Sequence, residues 1–152
     1  MRVNRFNPGR TLRGAWFALA LGLWAAGSAY GQTVTVEAML IHASDRPAAL
    51  DTRLDRVEFR LRRIFGFEHY GFMGEKRSVV TLPSQSRLDL GHGYTLRLNT
   101  ASRDGRVQAE IEWFRGDERL LRTSVTQRRG VPSILGGPPH DEGTLILVLE
   151  FK

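Results

Sequence analysis

Thr144-Leu145-Ile146-Leu147-Val148-Leu149 is the stretch on which the fold turns, because five consecutive apolar residues leave neither face of an extended strand for water. The run predicts an interior strand over Thr144 to Phe151, with one layer above it and another below. A second segment has the same property at one end. Thr33-Val34-Thr35-Val36-Glu37-Ala38-Met39-Leu40-Ile41 begins in strict alternation, with Val34, Val36, Ala38 and Leu40 on one face and Thr35 and Glu37 on the other. Met39 and Ile41 then make its far end apolar on both faces.

Between these two strands the chain shows helical periodicity only once. Leu50, Leu54, Val57, Leu61 and Ile64 recur at spacings of 4, 3, 4 and 3, while Arg53, Asp55, Arg56, Glu58, Arg60, Arg62 and Arg63 fall mainly elsewhere. Ser44-Asp45-Arg46-Pro47 supplies capping oxygens and a first-turn proline, so the pattern predicts a helix over residues 48–65 that stops at Gly66. Two heptads are too short for a free-standing coiled coil, and the stripe reads as one amphipathic helix covering a sheet. Phe65, Phe67, Tyr70 and Phe72 crowd just after it, where a helix packs on its sheet or where a ligand finds an aromatic platform. His69 and Tyr70 are the ligand candidates in that cluster.

After Phe67 short apolar and β-branched runs alternate with Gly, Pro, Asn and Asp. They predict strands near residues 67–72, 77–82, 87–90, 94–99, 106–114, 119–127 and 133–135 before the final one. Tyr94, Leu96 and Leu98 face Val107, Ala109, Ile111 and Trp113 across a connection of residues 99–105 that contains Asp104-Gly105. Residues 130–143 form the least regular stretch. The expected architecture is α+β, one amphipathic helix packed on an antiparallel β-sheet or a two-layer β-sandwich, within a single β-rich domain of residues 32–152.

Residues 1–31 read differently. Arg2, Arg5, Arg10 and Arg13 precede an uncharged apolar run from Ala15 to Ala26, and Ala29 and Gly31 are small residues suited to cleavage before Gln32. This is the pattern of a secretory signal peptide, and the run is shorter than the roughly 20 residues of a membrane-spanning helix. Export to the periplasm or the exterior, with no stable membrane span after cleavage, is the expected localisation. The leader holds four Arg and no acid, so residues 32–152 carry 18 basic against 16 acidic side chains. A whole-chain charge of +6 thus shrinks to +2, and with only Lys76 and Lys152 among the lysines it gives no footprint of a nucleic-acid partner. The absence of Cys removes disulfides, thiolate metal sites, a cysteine nucleophile and an N-terminal lipid anchor.

Catalytic signals are sparse. His42, His69, His92 and His140 lie too far apart to form a local ligand pair, and no serine stands in a nucleophile elbow. Pro138-Pro139-His140-Asp141-Glu142 places an imidazole beside two carboxylates, which makes His140 the third binding candidate. Glu110 and Glu112 share one face of a strand and could pair in glycoside chemistry, but Ala109, Ile111 and Trp113 on the opposite face assign them to the solvated side. Ile134-Leu135-Gly136-Gly137-Pro138-Pro139 lacks the Lys and Ser/Thr of a phosphate loop, and Arg115-Gly116-Asp117 is ordinary turn chemistry. No cofactor and no metal set is implied, and the catalytic residues of any reaction stay unassigned.

Val107-Gln108-Ala109-Glu110-Ile111, Ile134-Leu135-Gly136-Gly137 and Leu145-Ile146-Leu147 together resemble the strand-rich core of bacterial secretins over about a third of the chain. Ring-forming N-terminal modules and long membrane-inserting hairpins have no counterpart here, and Pro138-Pro139 stands where a strand could continue. The whole chain also resembles small exported bacterial proteins. That resemblance implies the compartment, while the ample strand content and the lack of a catalytic constellation point to an exported non-enzymatic binding or assembly module, accessory to a cell-envelope or secretion complex, whose partner is an envelope protein or a second copy. A small hydrolase or metal enzyme built around Gly136 to Glu142, with His92, is the alternative. Expressed with its leader in a bacterial host, the exported chain is expected to begin at Gln32 on N-terminal sequencing; a chain beginning at Met1 inside the cell would refute the leader assignment.

Overall fold

The computed structural model describes residues 31–47, 49 and 51–152, and among them eight strands make two antiparallel four-stranded sheets with one short helix. The strands are β1 (Thr33–Ser44), β2 (His69–Thr81), β3 (Ser84–Gly91), β4 (Tyr94–Arg103), β5 (Arg106–Arg115), β6 (Glu118–Gln127), β7 (Ser133–His140) and β8 (Gly143–Phe151), and α1 spans Asp55–Phe65. The first sheet has the order β2-β1-β8-β7 and the second β3-β4-β5-β6. The architecture is α+β and dominated by strands. The signal-peptide assignment, apart from Gly31, lies outside the described residues, as do Ala48 and Leu50.

The two doubly apolar segments lie side by side at the centre of the first sheet. β1 and β8 pair with Val36 opposite Phe151, Ala38 opposite Leu149 and Leu40 opposite Leu147. These side chains join Leu88, Leu96, Leu98, Ile111 and Trp113 of the second sheet in one buried cluster. Met39, Ile41, Ile146 and Val148 point the other way, into a separate cluster with Ala43, Tyr70 and the helical Leu54, Val57 and Leu61. Burying the three helical side chains contributes about 2 kcal/mol each.

The helix starts later than the sequence pattern predicts. Ser44 stays in the β1 ladder opposite His69 and Gly143, and Asp45 accepts a hydrogen bond from the Glu68 amide (3.2 Å), so neither caps a helix. Asp51 does so instead, accepting from Arg53 N (3.0 Å) at a 3-10 turn over Thr52–Leu54 that leads into α1. Gly66 ends α1 in the left-handed conformation (φ 70°), as the pattern predicts. The expected stripe ends one residue out: Ile64 is 59% exposed and Phe65 turns inward in its place.

Several strands are longer than their apolar runs. Residues 67–72 and 77–82, read as two strands, are largely one continuous β2, which absorbs its polar middle through a bulge opposite Leu40 and Ile41. The β4–β5 connection is not seven residues but two, Asp104-Gly105, both with positive φ, and Leu96 and Leu98 face Trp113 and Ile111. Residues 130–143 are not mainly loop, since β7 runs to His140 and turns at Asp141-Glu142 into β8. Pro138 and Pro139 are tolerated because β7 is an edge strand with a bulge between Gly136 and Pro139. Gly137 is required there: a Cβ at this position would lie 2.3 Å from the Trp113 ring and 3.0 Å from the Leu145 carbonyl oxygen.

One charged residue interrupts the outer face of β1. Glu37 is only 4% exposed and stands between Arg77 of β2 and Glu150 of β8 in the ladder. Arg77 (2.5 Å), Lys152 (2.7 Å) and Arg56 of α1 (3.0 Å) surround its carboxylate, and Arg56 also reaches Glu75 (3.3 Å) and Glu150 (3.6 Å). Burial pushes the Glu37 carboxyl up, but hydrogen bonds from Lys152 and Arg56 and the charges of Lys152 and Arg77 outweigh it and hold it below the usual carboxylate range.

A carboxyl whose folded value is depressed adds stability above its ordinary value, and that stability is lost as pH falls from about 4.5 through the depressed value. Glu37→Gln is therefore expected to lower unfolding stability by about 2 kcal/mol at pH 7 in urea titrations, with the difference from wild type shrinking below pH 4. An unchanged midpoint at pH 7 would show that the ion cluster does not hold the helix to the sheet.

Candidate functional site

The three residues nominated from sequence are not brought together. His69 opens β2 and is half-buried, while Tyr70 is 5% exposed beneath α1, with the Arg62 guanidinium 5.7 Å from its ring centre. Burial raises the Tyr70 phenol above its ordinary value, and the Phe67 backbone approaches the hydroxyl without forming a hydrogen bond of ordinary geometry. His69 and Tyr70 do share a crevice with Glu58 and Arg62, but its volume is about 10 Å³, the room of a single water. The aromatic cluster after the helix is thus mainly packing: Phe65, Phe67 and Phe72 lie against the helix-side core, and Arg53 stacks 3.5 Å above Phe72.

His140 stands elsewhere, at the end of β7. Its Nδ1 is 3.3 Å from the Tyr94 hydroxyl, its Nε2 is 3.5 Å from Asp141 Oδ2, and its carbonyl accepts from His42 Nε2 at 3.1 Å. The His42 and His140 rings meet edge to face with centroids 5.5 Å apart. This chain of acid, imidazole and phenol joins β1, β4 and the β7–β8 hairpin, so it ties the two sheets together at one end. Glu142 points away and pairs with Arg46. His92 sits on the β3–β4 turn with positive φ (53°) and makes no hydrogen bond to this group. Among the described residues no three side chains able to ligate a metal converge.

A larger surface feature lies on the outer face of the second sheet. Alternation sends Leu88, Leu96, Leu98, Ile111 and Trp113 inward, and the same alternation sends Gln85, Arg87, Arg97, Asn99, Glu110, Glu112 and Arg122 outward. Register aligns them in rungs across the sheet. Gln85, Asn99, Glu110 and Ser124 form one, and Arg87, Arg97, Glu112 and Arg122 form the next. Phe114 follows, opposite Thr95.

Three hollows lie along this face. A hollow of about 460 Å³ is lined by both rungs. It shares Arg87 and Arg97 with a hollow of about 200 Å³ beside Phe114 and Asp117. On the other side it shares Asn99, Glu110 and Arg122 with one of about 570 Å³. The three form one polar trough running across all four strands.

The trough's charges are unevenly matched. Glu110 binds Arg122 (2.5 Å), and Glu112 binds Arg119 (3.0 Å) with Arg122 at 4.0 Å, so both carboxylates are engaged from the β6 side. The Arg97 guanidinium carbon stands over the Phe114 ring, 4.5 Å from its centre. The sequence reading had placed Glu110 and Glu112 on a solvated strand face, and that is where they lie. It missed Arg87, Arg97, Gln85 and Asn99, whose alternating letters show an outward face but not the register that sets one beside another.

Comparison with protein-family models, with curated proteins and with solved structures finds no match to this chain. The site therefore has to be interpreted from its own chemistry.

The His140 group is expected to act as a structural tie. Tyr94→Phe should lower stability by about 1 kcal/mol in chemical denaturation, the worth of one partly buried hydrogen bond. Wild-type stability in that variant would show that the phenol–imidazole contact holds nothing.

Proposed function

We propose that the protein is an exported non-enzymatic binding module that presents the outer face of its second sheet to a component of the cell envelope. The continuous polar trough across β3, β4, β5 and β6 carries this reading. Its lining side chains project from paired strands whose inner faces are anchored in the core, so the surface is held in place before anything binds. We read the architecture as a two-layer sandwich with the amphipathic helix covering the back of the first sheet, which leaves the second sheet's outer face open to a ligand.

Glu110 and Glu112 in the middle of the trough are held in ion pairs by arginine, an arrangement that favours binding over general-acid chemistry, and Asp117 lines the end beside Phe114. The N-terminal leader supports a place in the periplasm or outside the cell, where the module serves as an accessory to an envelope or secretion complex.

The test is co-sedimentation of the purified protein with isolated bacterial envelope fragments. The wild-type chain is expected to pellet with them. Asn99→Trp fills the middle of the trough from an exposed strand position and should abolish pelleting with an unchanged melting temperature, whereas Arg60→Gln on the helix should have no effect. Equal pelleting of wild type and Asn99→Trp, or none by wild type, would overturn the reading.

A further inference from the structure

Resting on the trough as the ligand face, we infer that its occupant is an acidic polysaccharide whose oxyanions are taken by Arg87 and Arg97. These two residues stand directly opposite each other across the β3–β4 ladder. Like charges so placed repel, because cross-strand neighbours have side chains about 5 Å apart at their roots. Among the described residues no carboxylate comes within ion-pair distance of either. Glu110 and Glu112 are drawn to the other side of the trough by Arg119 and Arg122, and Asp117, which lines the hollow beside Phe114 with both arginines, pairs with neither. The result is a paired positive charge left open on a rigid surface.

Arg97 is also oriented in advance. Its guanidinium carbon stands 4.5 Å over the Phe114 ring, a contact that limits where the side chain can swing. A planar fork of this kind matches a carboxylate or sulfate by paired charge-assisted hydrogen bonds. One rung away Gln85 and Asn99 face each other, and a side-chain amide offers both donors and an acceptor to hydroxyl groups. An oxyanion reader beside neutral amides suits a ligand that carries acid groups on a polyhydroxylated backbone.

A protein partner is the weaker fit. Interfaces between proteins centre on buried aromatic and apolar anchors. Phe114 is the one aromatic side chain lining the trough, and Arg97 already covers it. The trough's length also favours a polymer: it passes from the hollow beside Phe114 through the arginine pair to Ser124 on β6.

The experiment is affinity electrophoresis in gels containing polygalacturonate, dextran sulfate or neutral dextran, with poly-glutamate as competitor. Retardation by polygalacturonate or dextran sulfate and not by neutral dextran is expected, and the arm that retards identifies carboxylate or sulfate as the oxyanion. Arg87→Gln and Arg97→Gln should each weaken retardation about ten-fold or more. Arg87→Gln should melt at or above the wild-type temperature, since it relieves a repulsion, and Arg97→Gln close to it, since it loses the Phe114 contact as well. The double variant Arg60→Gln/Arg63→Gln removes twice that charge from the helix and should leave retardation intact.

Equal loss in the helix variant would reveal attraction by net charge alone and overturn the proposal. So would retardation by neutral dextran, or poly-glutamate binding without polysaccharide binding, which would indicate an acidic protein segment. If no acidic polysaccharide binds while Asn99→Trp still abolishes envelope pelleting, the ligand class is wrong and the trough stands. If pelleting ignores Asn99→Trp, both fall.

Discussion

The pairing of β1 with β8 is the contact on which the rest of the structure depends. Each strand buries side chains on both faces, so a single ladder supplies eight of the nineteen buried side chains in the cluster shared with the second sheet and most of the sheet's contribution to the cluster under the helix. Neither strand is stable alone, because an isolated strand of this composition exposes two apolar faces and its backbone groups together. Once paired, they present flat apolar surfaces in opposite directions, and each surface selects a different kind of cover. The long face of Val36, Ala38, Leu147 and Leu149 meets another sheet. The shorter patch of Met39, Ile41, Ile146 and Val148 matches three turns of α1.

Glu37 marks where that shorter patch ends. An acid at this position is opposed in the ladder by another acid, Glu150, and the arrangement holds only because cations arrive from β2, from α1 and from Lys152. Burial of a lone carboxylate is costly, so the cluster is a condition on the helix's position as much as a source of stability. Arg56 reaches Glu37 only when Val57 is seated in the core. The apolar stripe sets the face that α1 buries, and the ion cluster sets how far along the sheet it sits.

The sequence was readable wherever burial is complete on one or both faces. Leu145 to Leu149 and Met39 to Ile41 lacked polar positions, and both proved central; Asp104-Gly105 marked its turn, and Gly66 its helix end. Edges and surfaces were harder to read. The middle of β2, from Gly74 to Arg77, is polar because it borders solvent, and Pro138-Pro139 read as a break although an edge strand tolerates residues without a donor. His69, Tyr70 and His140 drew attention for their chemistry, yet two lie at the helix–sheet seam and one at the sheet ends. The arginine pair escaped notice because Arg87 and Arg97 are adjacent only through the β3–β4 register, and an outward Arg is the commonest sight on any solvated strand.

The position of β8 bears on how the chain is made. β1 is complete early in synthesis, but its ladder partner in the middle of the first sheet is separated from it by every other strand. Until that partner emerges, β1 and β2 form only a hairpin with bare apolar sides, and the contacts of greatest sequence separation come last. The second sheet is under no such constraint, because its four strands are consecutive and each pairs with the next as it emerges. The order of emergence thus divides the molecule into a half that assembles locally and a half that waits for the last nine residues of strand, with its apolar sides prone to aggregation in the interval.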